Sequence, residues 1–311
     1  MVKHYHSLED LSLKKTWLTI GVFDGVHRGH QEILSKLIAG AHTSGAAAVV
    51  LTFYPHPAEV LGRQNNLKYL TLPDEKVARL GELGADIVVT HPFNTEVAFL
   101  SAWEFMQYLK VHLDMRELWV GYDFALGRNR GGDVINLTEI GNELGYHVHP
   151  VAPVVVNDEV VSSSQIRSLL YAGRVNEAAA QLGRPYALSG RVVHGDGRGK
   201  KINIPTANLD VPTEKAIPAN GVYACQAWVG EGRYPAVTNI GIRPTFTPEM
   251  KTSSVETHIL DLTQDLYDQV VKLEFIERLR EERKFPSTET LVEQIQVDIS
   301  RARVVLNGVQ D

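Results

Sequence analysis

The sequence predicts two folded domains: an α/β domain built on a parallel sheet, then a small antiparallel β-barrel closed by a helix. Three observations predict this. The first half alternates strand-like and helix-like segments, and repeated β-α-β order means a parallel sheet with helices on both faces. Around Leu182-Gly183-Arg184-Pro185 the texture changes to short alternating strands separated by Gly- and Pro-containing turns, which suits a small barrel. The length, 311 residues, is long for one core. Domains are expected at 1–182 and 183–311.

In order, Trp17 to Val22 reads as a strand and Gln31 to His42 as a helix, with Ile33, Leu34, Leu37, Ile38 and Ala41 at helix spacing. Ala46 to Phe53 is an apolar run suited to a buried parallel strand. Glu75 to Leu83 is helical and Ile87 to Val89 strand-like. Ser101 begins a helix with Glu104 three residues on, a capping-box signature. A strand at Leu118 to Val120, a helix at Leu137 to Leu144 and a strand at Val148 to Val151 complete this half. In the second half, Val222 to Val229 and Tyr234 to Ile240 flank a Gly230–Arg233 turn and predict a hairpin. Val255 to Leu260 and Val270 to Ile276 are further strands. Leu291, Ile295, Ile299 and Ala302 share one face of a last helix, with Ser287 as its N-cap.

Composition limits the partners. The net charge is −6, from 31 basic and 37 acidic residues, whereas binding to a nucleic-acid backbone calls for a basic surplus. A small anionic ligand needs only a local cluster. The single cysteine, Cys225, excludes an internal disulfide framework and fits a reducing compartment; it reads as a small buried residue. No apolar run reaches the ~20 residues that span a bilayer, and the start lacks the apolar core of a signal peptide. A cytoplasmic protein with neither a nucleic-acid nor a membrane partner is expected.

The most informative segment is Gly21-Val22-Phe23-Asp24-Gly25-Val26-His27-Arg28-Gly29-His30, between the first strand and the first helix. A strand turning through glycines into a helix start is a phosphate-binding arrangement, because free N–H groups and the helix dipole point at the ligand. Gly29 allows close approach, and imidazoles at His27 and His30 can donate to phosphoryl oxygens. Surface or capping histidines remain the alternative; a zinc site lacks a nearby third ligand. Ser162-Ser163-Ser164-Gln165-Ile166-Arg167 offers hydroxyls, helix-start N–H groups and a guanidinium, a second anion site or an ordinary N-cap. The turn Tyr54-Pro55-His56-Pro57 follows a strand end, where His56 is either a phosphate contact or a loop histidine. Asp123 ends another strand and could reach ribose, base or metal.

In the second half, His194-Gly195-Asp196-Gly197-Arg198-Gly199-Lys200-Lys201 is glycine-rich without Walker A spacing. It reads either as a phosphate-binding turn or as a flexible hairpin. In Pro205-Thr206-Ala207-Asn208, a hydroxyl and an amide carbonyl two residues apart project to one side of extended chain. Both are hard oxygen ligands suited to Mg²⁺. Glu256 is either a solvent-face charge or a general base.

The run Gly21 to His30 resembles the H-x-G-H signature of the nucleotidyltransferase superfamily. Its longer form, G-x-F-D-G-x-H-x-G-H, is similar to the bacterial bifunctional riboflavin kinase/FMN adenylyltransferases, the FAD synthetases. The Pro-His-Pro turn, Val120-Gly121-Tyr122-Asp123-Phe124 and Ser-Ser-Ser-Gln-Ile-Arg fall in that family's order. So do Gly-Asp-Gly-Arg-Gly, Pro-Thr-Ala-Asn, Asn220-Gly221-Val222-Tyr223, Asn239 to Thr245, the Glu256 strand and Arg280 to Phe285.

The resemblance covers essentially the whole chain. It implies a Rossmann-like nucleotidyltransferase domain, then a six-stranded antiparallel barrel of riboflavin kinase type with a terminal helix. Gly21, Phe23, Asp24, Gly25, His27, Gly29 and His30 would form the ATP-binding turn, with Ser163 and Arg167 closing on the phosphates. His56 and Asp123 belong near the ATP or flavin site. The FMN phosphate would attack the α-phosphorus directly, without a covalent enzyme intermediate.

For the kinase half, the resemblance makes Glu256 the catalytic base and Thr206 and Asn208 the Mg²⁺–ATP ligands. Gly195, Gly197, Arg198, Gly199 and Lys200 become a phosphate flap, and Asn239, Arg243, Arg280 and Glu282 contact the flavin. The implied partners are riboflavin, FMN, FAD and ATP; self-association stays open. Leu126 stands where many relatives carry an aromatic, and Asn203 where they carry glycine. Two rival readings are one live activity out of two, and a flavin-binding sensor or carrier without turnover. Neither half has lost a polar group assigned to chemistry.

Overall fold

The structure is a computed structural model that describes residues 2–195, 202, 204–243 and 252–308. It comprises two compact units, Met1–Ser163 and Ser164–Asp311, described in turn. The strands of the first unit are β1 (Lys3–Tyr5), β2 (Thr16–Ile20), β3 (Ala47–Tyr54), β4 (Ile87–Pro92), β5 (Met115–Gly121), β6 (Ala125–Leu126), β7 (Gly132–Asp133), β8 (His147–Val151), β9 (Val155–Val156) and β10 (Glu159–Val160). Six form one sheet in the order β1-β4-β3-β2-β5-β8, and every pairing in it is parallel. The others form two short antiparallel pairs.

The helices of this unit are α1 (Arg28–Ser44), α2 (Pro57–Val60), α3 (Pro73–Glu82), α4 (Thr95–Phe99), α5 (Ala102–Leu113) and α6 (Val134–Leu144). Alternation along β3 shows why both sheet faces are covered. Val49 and Leu51 pack with Phe105, Met106, Leu109, Leu137 and Ile140 of α5 and α6. Val50 packs with Leu34, Val77 and Leu80 of α1 and α3. Side chains two apart share a face, so one apolar run serves two helix layers. The Ser101–Glu104 capping box forms as its spacing predicts.

Helix α1 is longer than the expected Gln31 to His42. It starts at Arg28 and ends against Gly45, whose φ of 69° is a left-handed C-cap. The chain runs β2, β3, β4 to one side of the sheet, then crosses to β5 on the other flank of β2. The strand order therefore reverses at β2. The crevice outside the carboxyl ends of the strands at such a switch point is where open α/β sheets bind ligands. The Gly21–His30 turn leaves β2 at that end.

Helix α7 (Ser163–Tyr171) begins at the division between the units, and α8 (Val175–Leu182) follows in the second. Six strands then close a barrel: β11 (Tyr186–Val193), β12 (Ala207–Asp210), β13 (Gly221–Val229), β14 (Gly232–Arg243), β15 (Thr252–Ile259) and β16 (Val270–Arg280). Their order is β11-β12-β15-β14-β13-β16, with β16 returning to β11. Neighbours in the barrel are antiparallel. The predicted hairpin is tighter than expected. Gly232 pairs with Val229 and Arg233 with Trp228, so only Gly230 and Glu231 turn the chain. Gly230 has a φ of 56°, which a glycine adopts without steric cost.

The barrel interior is filled by side chains that include Tyr223, Cys225, Thr238, Thr257 and Phe275, all fully buried. Burial raises the Cys225 thiol pKa to about 12, so this cysteine is a small core residue and not a nucleophile. Helix α9 (Thr288–Asn307) is capped by Ser287. Its Ala302 and Leu306 cover Val222, Ala224, Val237 and Leu279 on the barrel's outer side.

A buried ion pair links α9 to β16. Arg280 donates from Nε and Nη2 to the Asp298 carboxylate at 2.8–3.1 Å, and Gln294 donates to the same carboxylate at 2.8 Å. Asp298 is 3% exposed, so removing it strands a guanidinium in a low-dielectric site, at a cost of about 3–5 kcal/mol. Asp298→Ala is expected to lower the unfolding free energy of the second unit by that amount, read from its urea midpoint and slope, and an unchanged midpoint contradicts the assignment.

Candidate functional sites

The turn after β2 has an unusual backbone. Phe23, Gly25 and Val26 take φ values of 51°, 79° and 41°. Left-handed conformations at a β-branched and an aromatic residue are strained and persist only where the surroundings fix them. The Asp24 carboxylate supplies that restraint. It is 1% exposed and accepts hydrogen bonds from the backbone N–H of Leu70 at 2.9 Å and of Thr71 at 3.0 Å. The N–H of Gly25 donates to the Thr71 hydroxyl at 2.9 Å. From 139 residues away in sequence, the Ser163 hydroxyl donates to the Asp24 carbonyl at 2.9 Å.

His27 is the N-cap of α1, which places Gly29 and His30 in the first helical turn. Backbone N–H groups there have no intrahelical acceptor. The rings of His27 and His30 stack at 3.6 Å, with Phe23 edge-on to His30 at 5.0 Å. A Cβ on Gly29 would lie 3.2 Å from the His27 ring, so Gly29 is the room His27 needs. Burial, then the His27 and Lys76 charges, hold the His30 imidazole well below its ordinary pKa. His30 is therefore neutral at pH 7, with one ring N–H to donate.

The sheet order β3-β2-β5 puts the two remaining strand-end candidates on either side of this turn. His56, after β3, caps α2 by accepting the Ala58 N–H on Nδ1 at 3.0 Å. That fixes the tautomer, so Nε2 carries the proton. Its backbone N–H donates to the Tyr69 hydroxyl at 3.0 Å, and Tyr69 in turn donates to Glu59. Asp123, after β5, is exposed, and its carbonyl accepts from Arg130 at 3.1 Å. Arg167 is buried on α7, in the second compact unit.

Three groups at the first site are not among the sequence candidates: Thr71, Thr52 and Lys76. Lys76 is 2% exposed and donates to the Val22 carbonyl at 2.8 Å and the Thr52 hydroxyl at 3.2 Å. A signal for it exists in the sequence. Lys76 shares the buried face of α3 with Val77 and Leu80, where a lysine is out of pattern.

The barrel carries a second polar array. Asn208 on β12 pairs with Glu256 on β15, and Glu256 pairs with Asn239 on β14. Directly opposed residues share a face, so the three side chains form one cross-strand row. It lies on the face opposite to Thr257 and Thr238, which fill the interior and hydrogen-bond at 3.0 Å. Gly195 sits against the row: a Cβ there would fall 2.1 Å from the Asn208 amide nitrogen and 2.7 Å from its oxygen. Thr206, two residues before Asn208, is exposed. Glu282 also reaches this region, since a Cβ on Gly241 would lie 2.6 Å from its carboxylate and 3.5 Å from the Asn239 amide nitrogen.

Arg280 is placed differently from the other flavin candidates. Its Nε and Nη2 are held by Asp298, and Nη1 donates to the Glu281 carbonyl at 3.0 Å. Arg280 and Arg283 both lie over the Phe285 ring, at 5.6 and 4.9 Å. Arg283, Phe285, Gln294 and Val297 line part of a groove of about 460 Å³. Gly197, Arg198, Gly199 and Lys200 lie outside the described residues, as do Asn203, Pro244 and Thr245; Arg243 is described only as strand backbone.

Comparison with known proteins assigns both halves. A family described as FAD synthetase matches residues 10–165, and one described as riboflavin kinase matches residues 182–306. Bifunctional riboflavin kinase/FMN adenylyltransferase of Bacillus subtilis (strain 168) is 34% identical over 97% of this chain and 96% of its own length. The proteins of that name from Pseudomonas fluorescens and Escherichia coli (strain K12) are 37% and 36% identical, over 92% and 97% of this chain and 92% and 96% of their own lengths. A Streptococcus pneumoniae crystal structure described as a macrolide-efflux protein matches with a TM-score of 0.89 and 29% identity, over 96% of this chain and 98% of that one. In this chain, no helix among the described residues is long and apolar enough to cross a membrane. Two family matches in tandem and relatives aligned over nearly their whole length show that the chain belongs to the bifunctional riboflavin kinase/FMN adenylyltransferase family.

Proposed function

We propose that the Gly21–His30 turn carries adenylyl transfer and that the Asn208–Glu256–Asn239 row carries riboflavin phosphorylation. The chain is a bifunctional enzyme that converts riboflavin to FMN and FMN to FAD, using ATP in both steps. The cross-strand row supports the kinase assignment most directly, because it sets a carboxylate between two amides, one of them packed against a glycine. Glu256 takes the proton from the ribityl 5′-hydroxyl as that oxygen bonds to the γ-phosphorus and ADP leaves. We assign Asn239, Arg243 and Glu282 to the flavin, a reading supported by the approach of Asn239 and Glu282 to Gly241. Arg280 acts by anchoring the Arg280–Phe285 segment to α9.

Families of this kind use a divalent metal with ATP, and the residues at Asn208 fit one. The Asn208 and Thr206 side chains offer neutral, hard oxygens, and the absence of a side chain at Gly195 lets the Asn208 amide lie against the backbone there. Among the described residues no cluster of three or more His, Cys, Asp or Glu is assembled. A metal here would keep phosphate and water as its other ligands, as Mg²⁺ does. Mg²⁺ would neutralise charge on the transferring phosphoryl group.

In the first unit, an FMN phosphate oxygen attacks the α-phosphorus of ATP and pyrophosphate leaves. His27 and neutral His30 donate to phosphoryl oxygens as charge develops, with the helix-start N–H groups. Ser163 holds the turn through the Asp24 carbonyl, and we assign Arg167, His56 and Asp123 to the nucleotide or flavin around it. We take the functional domains as 1–182 and 183–311, a division supported by the matched segments 10–165 and 182–306. A lone buried thiol, Cys225, supports operation in the cytoplasm.

Glu256→Gln is expected to lower FMN formation by about 10²-fold or more while supplied FMN still becomes FAD, as resolved by chromatography of the flavins. The His27→Ala/His30→Ala double variant is expected to do the converse, with FAD formation reduced on the order of 10²–10³-fold. Loss of both activities in either folded variant contradicts the assignment. Gly195→Val is expected to raise the ATP KM of the kinase step by about tenfold, a hydrogen bond's worth. An unchanged KM would sink the role given to the Gly195–Asn208 contact.

A further inference from the structure

Lys76 is a fully buried cation that the mechanism above does not use. Its ammonium lies beneath the Gly21–His30 turn, in a triangle with the Val22 carbonyl and the Thr52 hydroxyl. Thr52 itself donates to Val22 at 2.9 Å. No carboxylate forms an ion pair with Lys76 among the described residues; Asp24 acts on it only through its field. A buried charge held by neutral oxygens alone is costly to maintain. A helix-surface lysine would avoid that cost by reaching water, so the placement of this one calls for an anionic complement.

We propose that Lys76 is a positioning residue for adenylyl transfer, one that fixes the Val22 carbonyl at the entry to the turn and holds a positive charge under the triphosphate. The proposal rests on the assignment of adenylyl transfer to this turn. The geometry links the two roles. Val22 precedes Phe23, the first residue of the left-handed segment, so anchoring its carbonyl sets where Phe23, His27 and His30 begin. The charge below and the helix-start N–H groups then act on the same anion.

The charged and titratable groups facing this ammonium are Asp24 on the turn and His30 on α1, with His27 stacked on His30. Desolvation lowers the Lys76 pKa to about 8, with Asp24 opposing. The ammonium is thus present below about pH 8 and is lost as pH rises through it. The same charge helps to depress His30, so removing it raises the His30 pKa.

The test compares Lys76→Met and Lys76→Arg with the unaltered chain, measuring FAD formation from FMN and ATP across pH. Thermal melting followed by circular dichroism reports folding of the first unit, and FMN formation from riboflavin in the same samples reports the second. Lys76→Met is expected to raise the ATP KM of FAD formation about tenfold, the effect of losing one charge-assisted contact, and to move the acid limb of its pH profile upward. FMN formation stays unchanged. Lys76→Arg, charged at all these pH values, is expected to recover most of the KM and to lose the fall in activity above about pH 8. An ATP KM within twofold of the unaltered chain in Lys76→Met overturns the proposal. So does equal impairment of Lys76→Arg with FMN formation intact. If Lys76→Met also loses FMN formation, the alkaline limb of Lys76→Arg decides: its persistence overturns the proposal and its loss supports it. If His27→Ala/His30→Ala leaves FAD formation intact, the assignment of the turn fails, separately from Lys76.

Discussion

The first site depends on one buried carboxylate. Asp24 receives the Leu70 and Thr71 backbone N–H groups, which ties the turn after β2 to the segment entering α3. Hydrogen bonds to a charged group contribute about 1.5–3 kcal/mol each. The left-handed residues at 23 and 26 cost about 1–3 kcal/mol each. The two are of the same size, so a pair of such bonds offsets the strain. Without the clamp, the turn has no reason to keep the conformation that stacks His27 on His30. Asp24 thus acts on the histidines through the backbone, and its two carboxylate oxygens are already engaged.

Around this clamp the polarity is layered. The neutral His30 imidazole and the helix-start N–H groups belong to the turn, and behind them lies the Lys76 ammonium. Neutral donors suit a site that must bind a polyanion and then release pyrophosphate, because they stabilise developing charge without forming a tight ion pair. His30 stays neutral for a physical reason, burial reinforced by nearby positive charge.

The barrel solves a different problem with different parts. Activating a hydroxyl calls for a base, and the proposed kinase site offers the Glu256 carboxylate for it. Barrel closure decides its surroundings. Pairing β15 between β12 and β14 sets Glu256 between Asn208 and Asn239, and the twofold repeat of the strand sends Thr257 into the core. The outer face near α9 is held by the Arg280–Asp298 pair and the small residues Ala224 and Ala302. The product of this chemistry, FMN, is the substrate of the other site, which explains one chain carrying both.

Much of this was legible in order and type. Periodicity marked β3 and the helices beside it, the Ser101–Glu104 capping box and the Ser287 N-cap marked where α5 and α9 start, and the change of texture near Leu182 marked the onset of β structure. The Gly21–His30 run was legible because its glycines and histidines are adjacent in sequence. Contacts spanning long separations were not. Neither the Asp24–Thr71 clamp nor the Ser163–Asp24 bond has a local pattern, since each joins residues 47 or more apart. The family resemblance offers Arg280 as a flavin contact, and its partner Asp298 is one that only folding α9 onto β16 supplies. Sequence alone determined which residue types were present and which elements could carry them. Tertiary structure decided which of those residues face each other, because strand register, sheet order and burial are properties of the packed chain and not of any window along it.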